Sequence, residues 1–597
     1  MKHLPLALLA ALVALAAPTA ASGQATAPAA GLGLKRPSSP MGTIVQRSAE
    51  RSRRDNDEKR RNGMIHTGIG PFTVTQVDIP ATDPGDGFFT GTGFLERIQI
   101  MTPFGFDPNG PELPLILVFN GWGLSANSFF NGMSTIPDEA NVRGWMVVAV
   151  TCLDDKSYGW ITGQTGVEVA MNYVDHYYPI DRDRIYGVGW SGGGGSIVSY
   201  AARHRDPTQP MLAAVATNAG SYDLENTYFW VPSSIKTLME HPNLFQGPPS
   251  GGTLFNYERT QTQTLSGVVI DPSRSQMKNL THTPLHHVYS TDDPLLYLAG
   301  QSTKFRDYFL AEASSYSVQT FSGLPEPHTW DLLPGPATLD FFEPHRLETD
   351  IGSFRVTADR KGRYDWATVF LQTGSDFATF SCALDETTNH VTVEDVSNVT
   401  ALVIEPPPTR VALGTDFSVS FSTADAQPTL LRLARVTAAP DRIMDGAIPF
   451  TAWTYDASLD DLTLTMPTGS TQLDVVFDDS SMTLKGPAEV GNSPDVHLAL
   501  AGGSPAKSFF LLLGFAEAET PLTTFDPGDG RDLLVALTPL PVLVPGQLDG
   551  AGAATVDFCV PPTLAGQSIY GQFVTLPGAG TIVDELSNRI RVDVVAP

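Results

Sequence analysis

An α/β domain followed by antiparallel β-sandwich regions is the fold class that the sequence predicts, and three observations predict it. Between about 70 and 345, short and nearly continuous apolar runs alternate with helix-like segments, as expected for strands covered on both faces. Within that stretch, Arg184-Ile-Tyr-Gly-Val-Gly-Trp-Ser191-Gly-Gly sets a G-x-S-x-G motif between a strand-like run and a helix-like one. After about 350 the apolar period falls to two, as in His390-Val-Thr-Val and Asp416-Phe-Ser-Val-Ser-Phe. That is the alternation of half-buried antiparallel strands.

The chain of 597 residues is long enough for two to four domains. Residues 1–23 read as a secretory signal: Lys2 and His3 precede an apolar run from Leu6, and small residues Ala20 to Gly23 offer a cleavage site. A soluble, exported mature protein, extracellular or at the cell surface, is the expectation. Residues 24–65, rich in Ala, Pro, Gly, Ser and charge, read as a disordered leader. The α/β domain is expected over 66–349, a β-rich domain over 350–480 and a C-terminal β-sandwich-like domain over 481–597.

A net charge of −27 argues against nucleic-acid binding, which needs clustered Lys and Arg. The basic tract Arg47 to Arg61 is interleaved with Asp55, Asp57 and Glu58, so it reads as part of the leader. Three cysteines, Cys152, Cys382 and Cys559, are too few to scaffold an exported protein, although a Cys382–Cys559 bridge is one arrangement they allow. Asp526-Pro-Gly-Asp529-Gly-Arg-Asp532 has the oxygen ligands of a calcium loop, but a tight acidic turn explains it equally. No metal and no cofactor are assigned.

The clearest strands of the α/β region are Leu113-Pro-Leu-Ile-Leu-Val-Phe, Met146-Val-Val-Ala-Val, Arg184-Ile-Tyr-Gly-Val, Leu212-Ala-Ala-Val-Ala and His286-His-Val-Tyr-Ser. A serine at a strand-to-helix turn projects its hydroxyl beyond the sheet edge, and flanking glycines remove side chains that would clash. Ser191 is therefore the candidate nucleophile. A serine hydroxyl needs a base, and the base needs an orienting carboxylate. Ser290-Thr-Asp-Asp-Pro follows a strand and supplies Asp293 as the first candidate acid, with Asp292 as the second. Gly323-Leu-Pro-Glu-Pro-His328-Thr-Trp330 then supplies His328 as the base. The interval from Asp293 to His328 leaves room for one helix and one strand. His286 and His287 read as strand residues.

An oxyanion needs two donors. Gly192 opens the helix after the serine, and Val118-Phe-Asn120-Gly121-Trp122-Gly123 offers the backbone N–H of Trp122. A segment of about 60 residues, 220–283, separates two core strands and is rich in aromatics and turns. It reads either as a lid over the serine or as a surface subdomain. Trp190 and Trp330, beside the serine and the histidine, and Tyr228 and Trp230 of the insertion are the candidate substrate contacts.

On these motifs the stretch from about 95 to 345 resembles the α/β-hydrolase superfamily, and most of all the exported polyhydroxybutyrate depolymerase and feruloyl esterase group. The matching pieces are Ile180-Asp-Arg-Asp-Arg-Ile-Tyr-Gly-Val-Gly-Trp-Ser-Gly-Gly, the Thr-Asp-Asp loop and Pro-His-Thr-Trp. The resemblance implies a mostly parallel sheet, a Ser191–His328–Asp293 triad, an oxyanion hole from the amides of Trp122 and Gly192, and a carboxylic ester substrate that is polymeric or bulky. Asn120 departs from it, standing where the group usually has His before Gly.

The elbow Gly-Trp-Ser-x-Gly-Gly is also similar to that of prolyl oligopeptidases, which carry a propeller before the hydrolase domain; here only about 70 residues precede it. A third reading is a non-catalytic adhesive protein with a vestigial hydrolase domain. The segment from Leu537 to Arg589 is similar to C-terminal modules of secreted bacterial proteins. The β regions beyond about 350 carry the expectation of attachment to a cell surface or polymer.

Overall fold

The computed structural model describes residues 71–81, residues 94–477 apart from 153–158, 243, 314, 441 and 447, and a set of strands between Thr483 and Val594. The signal and leader segments and most of the Asp526–Asp532 turn lie outside the described residues.

The first part of the chain builds one eight-stranded sheet. Its strands are β1 (Thr73–Ala81), β2 (Phe94–Thr102), β3 (Leu113–Phe119), β4 (Met146–Val150), β5 (Ile180–Trp190), β6 (Ala214–Asn218), β7 (Leu285–Ser290) and β8 (Tyr316–Phe321). Their spatial order is β1-β2-β4-β3-β5-β6-β7-β8. β2 runs against both of its neighbours, β1 and β4; the six strands β3 to β8 are parallel to one another.

Parallel strands need crossovers, and helices supply them. These are α1 (Ile136–Arg143), α2 (Ile161–Tyr177), α3 (Gly192–Arg203) and α7 (Leu296–Glu312), with α8 (Gly335–Phe342) closing the domain. Between β6 and β7 the insertion carries three short helices, α4 (Leu224–Trp230), α5 (Ser233–Met239) and α6 (Leu254–Glu258).

Each parallel strand sends alternate residues to opposite faces. From β3, Leu115, Leu117 and Phe119 join one core with Val167, Ala170, Met171 and Val174 of α2 and Phe305 and Phe309 of α7. Ile116 and Val118 join the other, with Ile136 and Ala140 of α1 and Leu339 and Phe342 of α8. Because both faces are covered, the strands read as continuous apolar runs. The sheet's antiparallel margin had no such signature: β1 is TVTQVDIPA, mostly exposed, and it escaped the sequence reading.

Residues 353–476 form a two-sheet sandwich around one core. A seven-stranded and a six-stranded sheet share Phe354, Val393, Val419 and Phe421 from one side and Val369, Leu402, Leu431 and Leu464 from the other. Strand Phe417–Thr423 alternates strictly between buried and half-buried positions. Two neighbouring pairs are parallel, His390–Ser397 with Phe417–Thr423 and Val399–Ile404 with Thr429–Ala434. The chain passes from one sheet to the other between these strands, so it re-enters each sheet in the same direction. Cys382 is a buried free thiol in this sandwich, so the Cys382–Cys559 bridge does not form.

Beyond 482 the described strands form further sheets, among them a five-stranded one in which Phe509, Leu511 and Phe573 are buried.

Candidate active site

The site is assembled at the carboxyl ends of the parallel strands, where loops that follow separate strands converge. Trp190 of β5 pairs with Asn218 of β6 at that edge, and the next residue, Ser191, turns sharply into α3. Its φ of 59° and ψ of −126° are costly for a residue with a Cβ. The strain is held by the surroundings: Ser191 N–H donates to the Asn218 carbonyl at 2.8 Å. The turn also depends on glycine. A Cβ at Gly193 would lie 2.2 Å from the Phe119 carbonyl oxygen, so α3 could not come this close to the end of β3.

His328 occupies the loop between β8 and α8. Its Nε2 is 3.0 Å from Ser191 Oγ, and its Nδ1 is 2.7 Å from Asp293 Oδ2. Asp293 lies in the turn after β7, where its other oxygen accepts the Leu295 N–H at 2.8 Å. Asp292 faces away from the histidine and accepts the Gly323 N–H instead. The interval between Asp293 and His328 holds one helix, α7, and one strand, β8. All three residues of this chain of contacts are 1 % exposed or less.

The histidine loop has an anchor that the sequence reading missed. Asn218 Nδ2 donates to the Thr329 carbonyl at 2.7 Å, so Asn218 holds the serine turn through its backbone and the histidine loop through its side chain. The available signal was an amide residue closing a core strand. His286 and His287 are strand residues of β7. Burial, with neighbouring His286 and Arg306, pushes His287 down to about 3, so it stays neutral.

Gly121 packs so closely on the elbow that a Cβ there would stand 2.8 Å from the Trp190 ring and 3.5 Å from Ser191 Cβ. This brings Trp122 beside the serine. Gly192 is the first residue of α3, where backbone N–H groups have no intrahelical partner. Asn120 donates from Nδ2 to the Ser125 carbonyl at 2.9 Å, while its Oδ1 is buried with no partner among the described residues.

The candidate substrate contacts divide. Trp190 and Trp330 are 0 % and 1 % exposed, and the Trp190 ring lies 5.2 Å from the His328 ring and 5.9 Å from the Trp330 ring. Both lie in the core, as buried as Ser191 and His328 themselves, since apolar side chains of this size favour burial. Tyr228 is also largely buried, its hydroxyl donating to Glu240, and that hydrogen bond pushes it up to about 12. Trp230 and its neighbour Phe229 are exposed, at 64 % and 61 %.

The insertion packs against elements that flank the site. Leu224, Tyr228, Ile235, Phe245 and Tyr257 form one apolar cluster with Trp122 of the loop after β3 and Leu295 and Leu298 just beyond Asp293.

No known family's sequence profile matches the chain, and no curated protein sequence matches it. The strand order and the serine turn decide the fold. It is an α/β-hydrolase fold. Solved structures with the same general likeness include the fluorophosphonate-binding serine hydrolase F of Staphylococcus aureus, 14 % identical, covering 46 % of this chain and 99 % of its own, with a TM-score of 0.33. An esterase from Pyrobaculum calidifontis is 14 % identical over 50 % of this chain and 93 % of its own, at 0.33. The acylaminoacyl peptidase of Pyrococcus horikoshii is 14 % identical over 47 % of this chain, at 0.34, and the match spans only 43 % of that peptidase. These likenesses concern the fold alone.

Proposed function

We propose that the protein is a serine hydrolase that cleaves carboxylic esters of a bulky or polymeric substrate. The observation that carries this reading is His328 bridging Ser191 and Asp293 at 3.0 and 2.7 Å. In the proposed reaction Ser191 Oγ attacks the ester carbonyl carbon while His328 Nε2 takes the hydroxyl proton. Asp293 holds the ring so that Nε2 faces the serine and steadies the imidazolium. The oxyanion that forms is met by the N–H groups of Gly192 and Trp122, each such donor being worth roughly 3–4 kcal/mol in the transition state. The C–O bond breaks, the alcohol departs with the proton from His328, and the acyl group stays on Ser191. Water, deprotonated by His328, then releases the acid.

The exposed Phe229–Trp230 pair on the insertion, with Leu296 exposed at the start of the neighbouring α7, supports a substrate too large for an enclosed pocket. Export through residues 1–23, and attachment to a polymer or cell surface through the strands beyond 482, complete the proposal. Attachment would raise the local ester concentration.

The deciding experiment is Ser191→Ala in the full chain. Turnover of p-nitrophenyl butyrate and covalent labelling by a fluorophosphonate should both vanish. Unchanged turnover would remove Ser191 from the chemistry.

A further inference from the structure

A buried carboxylate of the sandwich reaches two arginines of the hydrolase part of the chain. Asp359, in the turn after strand Ser353–Ala358, accepts from Arg203 Nε at 3.1 Å and Nη2 at 2.8 Å, and from Arg259 Nε at 3.0 Å. The Arg203 and Asp359 side chains are fully buried, and that of Arg259 is 4 % exposed. Two buried guanidiniums need such a partner, because desolvated charge without one is unfavourable.

The two arginines belong to two elements of the hydrolase part, α3 and the insertion. Arg203 is the last residue of α3, the helix that Ser191 starts. Its Nη1 donates to Gln164 Oε1 at 2.7 Å, and Gln164 Nε2 donates to Ser199 Oγ and to the Gly159 carbonyl, each at 2.9 Å. Arg259 follows α6 in the insertion. Tyr257, two residues earlier, stacks on Phe245 at 4.3 Å and meets Tyr228 edge-on at 5.9 Å, inside the cluster that contains Trp122. One carboxylate therefore ties the helix that Ser191 starts to the insertion.

We propose that Asp359 is a positioning residue for the Ser191 site, so that the sandwich over 353–476 completes the hydrolase unit. This rests on the reading of Ser191 as nucleophile. A second contact serves as the internal comparison: Asp365 accepts from Arg205 at 2.7 Å, and Arg205 also donates to Thr283 Oγ1 at 2.6 Å. That pair joins the same two parts of the chain but touches neither α3 nor the helices of the insertion.

The test uses the full chain with Asp359→Asn and, separately, Asp365→Asn. Ester kinetics are measured alongside hydrogen exchange of peptides from 192–203 and 254–264. Asp359→Asn should raise exchange in both segments and lower kcat by about 10-fold or more while KM changes little, since small misplacement of reacting groups is costly. Asp365→Asn should leave kcat within about twofold and spare both segments, because its pair touches neither α3 nor the helices of the insertion.

A folded Asp359→Asn protein with unchanged exchange and unchanged kcat would overturn the proposal. So would an equal loss of kcat in both variants, which would mark a general interface effect. If Asp359→Asn does not accumulate in folded form, Arg259→Lys decides, as it keeps the charge and the Arg203 contact. It should raise exchange in 254–264 and lower kcat, and unchanged values of both would overturn the proposal. Loss of the serine reading would show separately, as an unmodified chain that a fluorophosphonate does not label at Ser191. The exchange measurement would still report whether Asp359 ties the two segments.

Discussion

Asp293 and Asp292 are neighbours in the chain, yet only Asp293 reaches His328, at 2.7 Å, while Asp292 accepts the Gly323 N–H. Replacing one should be far more damaging than replacing the other. Asp293→Asn is expected to lower kcat by on the order of 10³–10⁴-fold, because an amide at that position favours the wrong histidine tautomer. Asp292→Asn should stay within a few-fold, and p-nitrophenyl butyrate kinetics on both variants check the pair. Asn218→Ala tests the histidine anchor. It strips the buried Thr329 carbonyl of its 2.7 Å donor and should destabilise the fold by about 1–3 kcal/mol. It should also slow turnover, measured by thermal unfolding and kcat together. An unaltered kcat would show that the loop holds its place without Asn218.

At the scale of elements, α3 and α4 carry separate constraints. Gly193→Ala would set a Cβ 2.2 Å from the Phe119 carbonyl, which forces α3 away from β3. A loss of about 1–3 kcal/mol or more is expected from overpacking of this kind, read as a lower unfolding midpoint in denaturant. On α4 the N-cap Asp223 accepts the Asn226 N–H at 2.8 Å. Burial pushes its carboxyl up to about 6, against the pull of that N–H. The folded state thus binds the Asp223 proton more tightly than the unfolded state, so stability from this group is present at low pH and is lost as pH rises through about 4 to 6. Asp223→Asn keeps a capping oxygen and cannot ionise. Its unfolding temperature should therefore gain on that of the unmodified protein between pH 4 and pH 7. A constant difference across that range would show that Asp223 does not titrate there.

Much of the site was legible at this scale. The order of Ser191, Asp293 and His328 along the chain, and the strand-turn-helix around the serine, followed from residue type and spacing. The roles of the aromatic side chains did not, because exposure depends on what packs over a residue. Trp190 and Trp230 read alike as sequence, yet one is buried behind the histidine and the other is 64 % exposed.

For the whole molecule, the question is which parts can be removed. Ending the chain at 350 would leave Arg203, Arg205 and Arg259 without Asp359 and Asp365. Breaking a buried ion pair costs about 3–5 kcal/mol, so the shortened protein should fail to accumulate as soluble, folded material. Its recovery as a stable, active hydrolase would show that the sandwich is dispensable. A chain ending at 480 retains these contacts and is expected to keep ester turnover while losing attachment to insoluble polymer, measured by co-sedimentation.

The interface should also resist acid. Burial raises the Asp359 carboxyl, but Arg203 and Arg259 outweigh it and hold the group well below the usual range. At Glu168 burial likewise opposes His204 and Arg360, which bring it down to about 2. Depressed carboxylates contribute stability above their unfolded values, near 4, and lose it as pH falls toward the folded ones. Contact between the two parts should hold at pH 5 and weaken only below about pH 4, as seen by tryptophan fluorescence.

The sequence by itself determined the two structural regimes, the serine turn and the order of the candidate triad, because periodicity, glycine and residue chemistry are local properties. Tertiary structure alone decided which aspartate meets His328, that Asn218 anchors its loop, and that Asp359 joins the sandwich to α3 and the insertion. Each of those contacts bridges segments separated by 35 or more positions, through Asp293–His328, Asn218–Thr329 and Asp359 with Arg203 and Arg259. No local pattern encodes such partners; they are selected by the packing that buries them together.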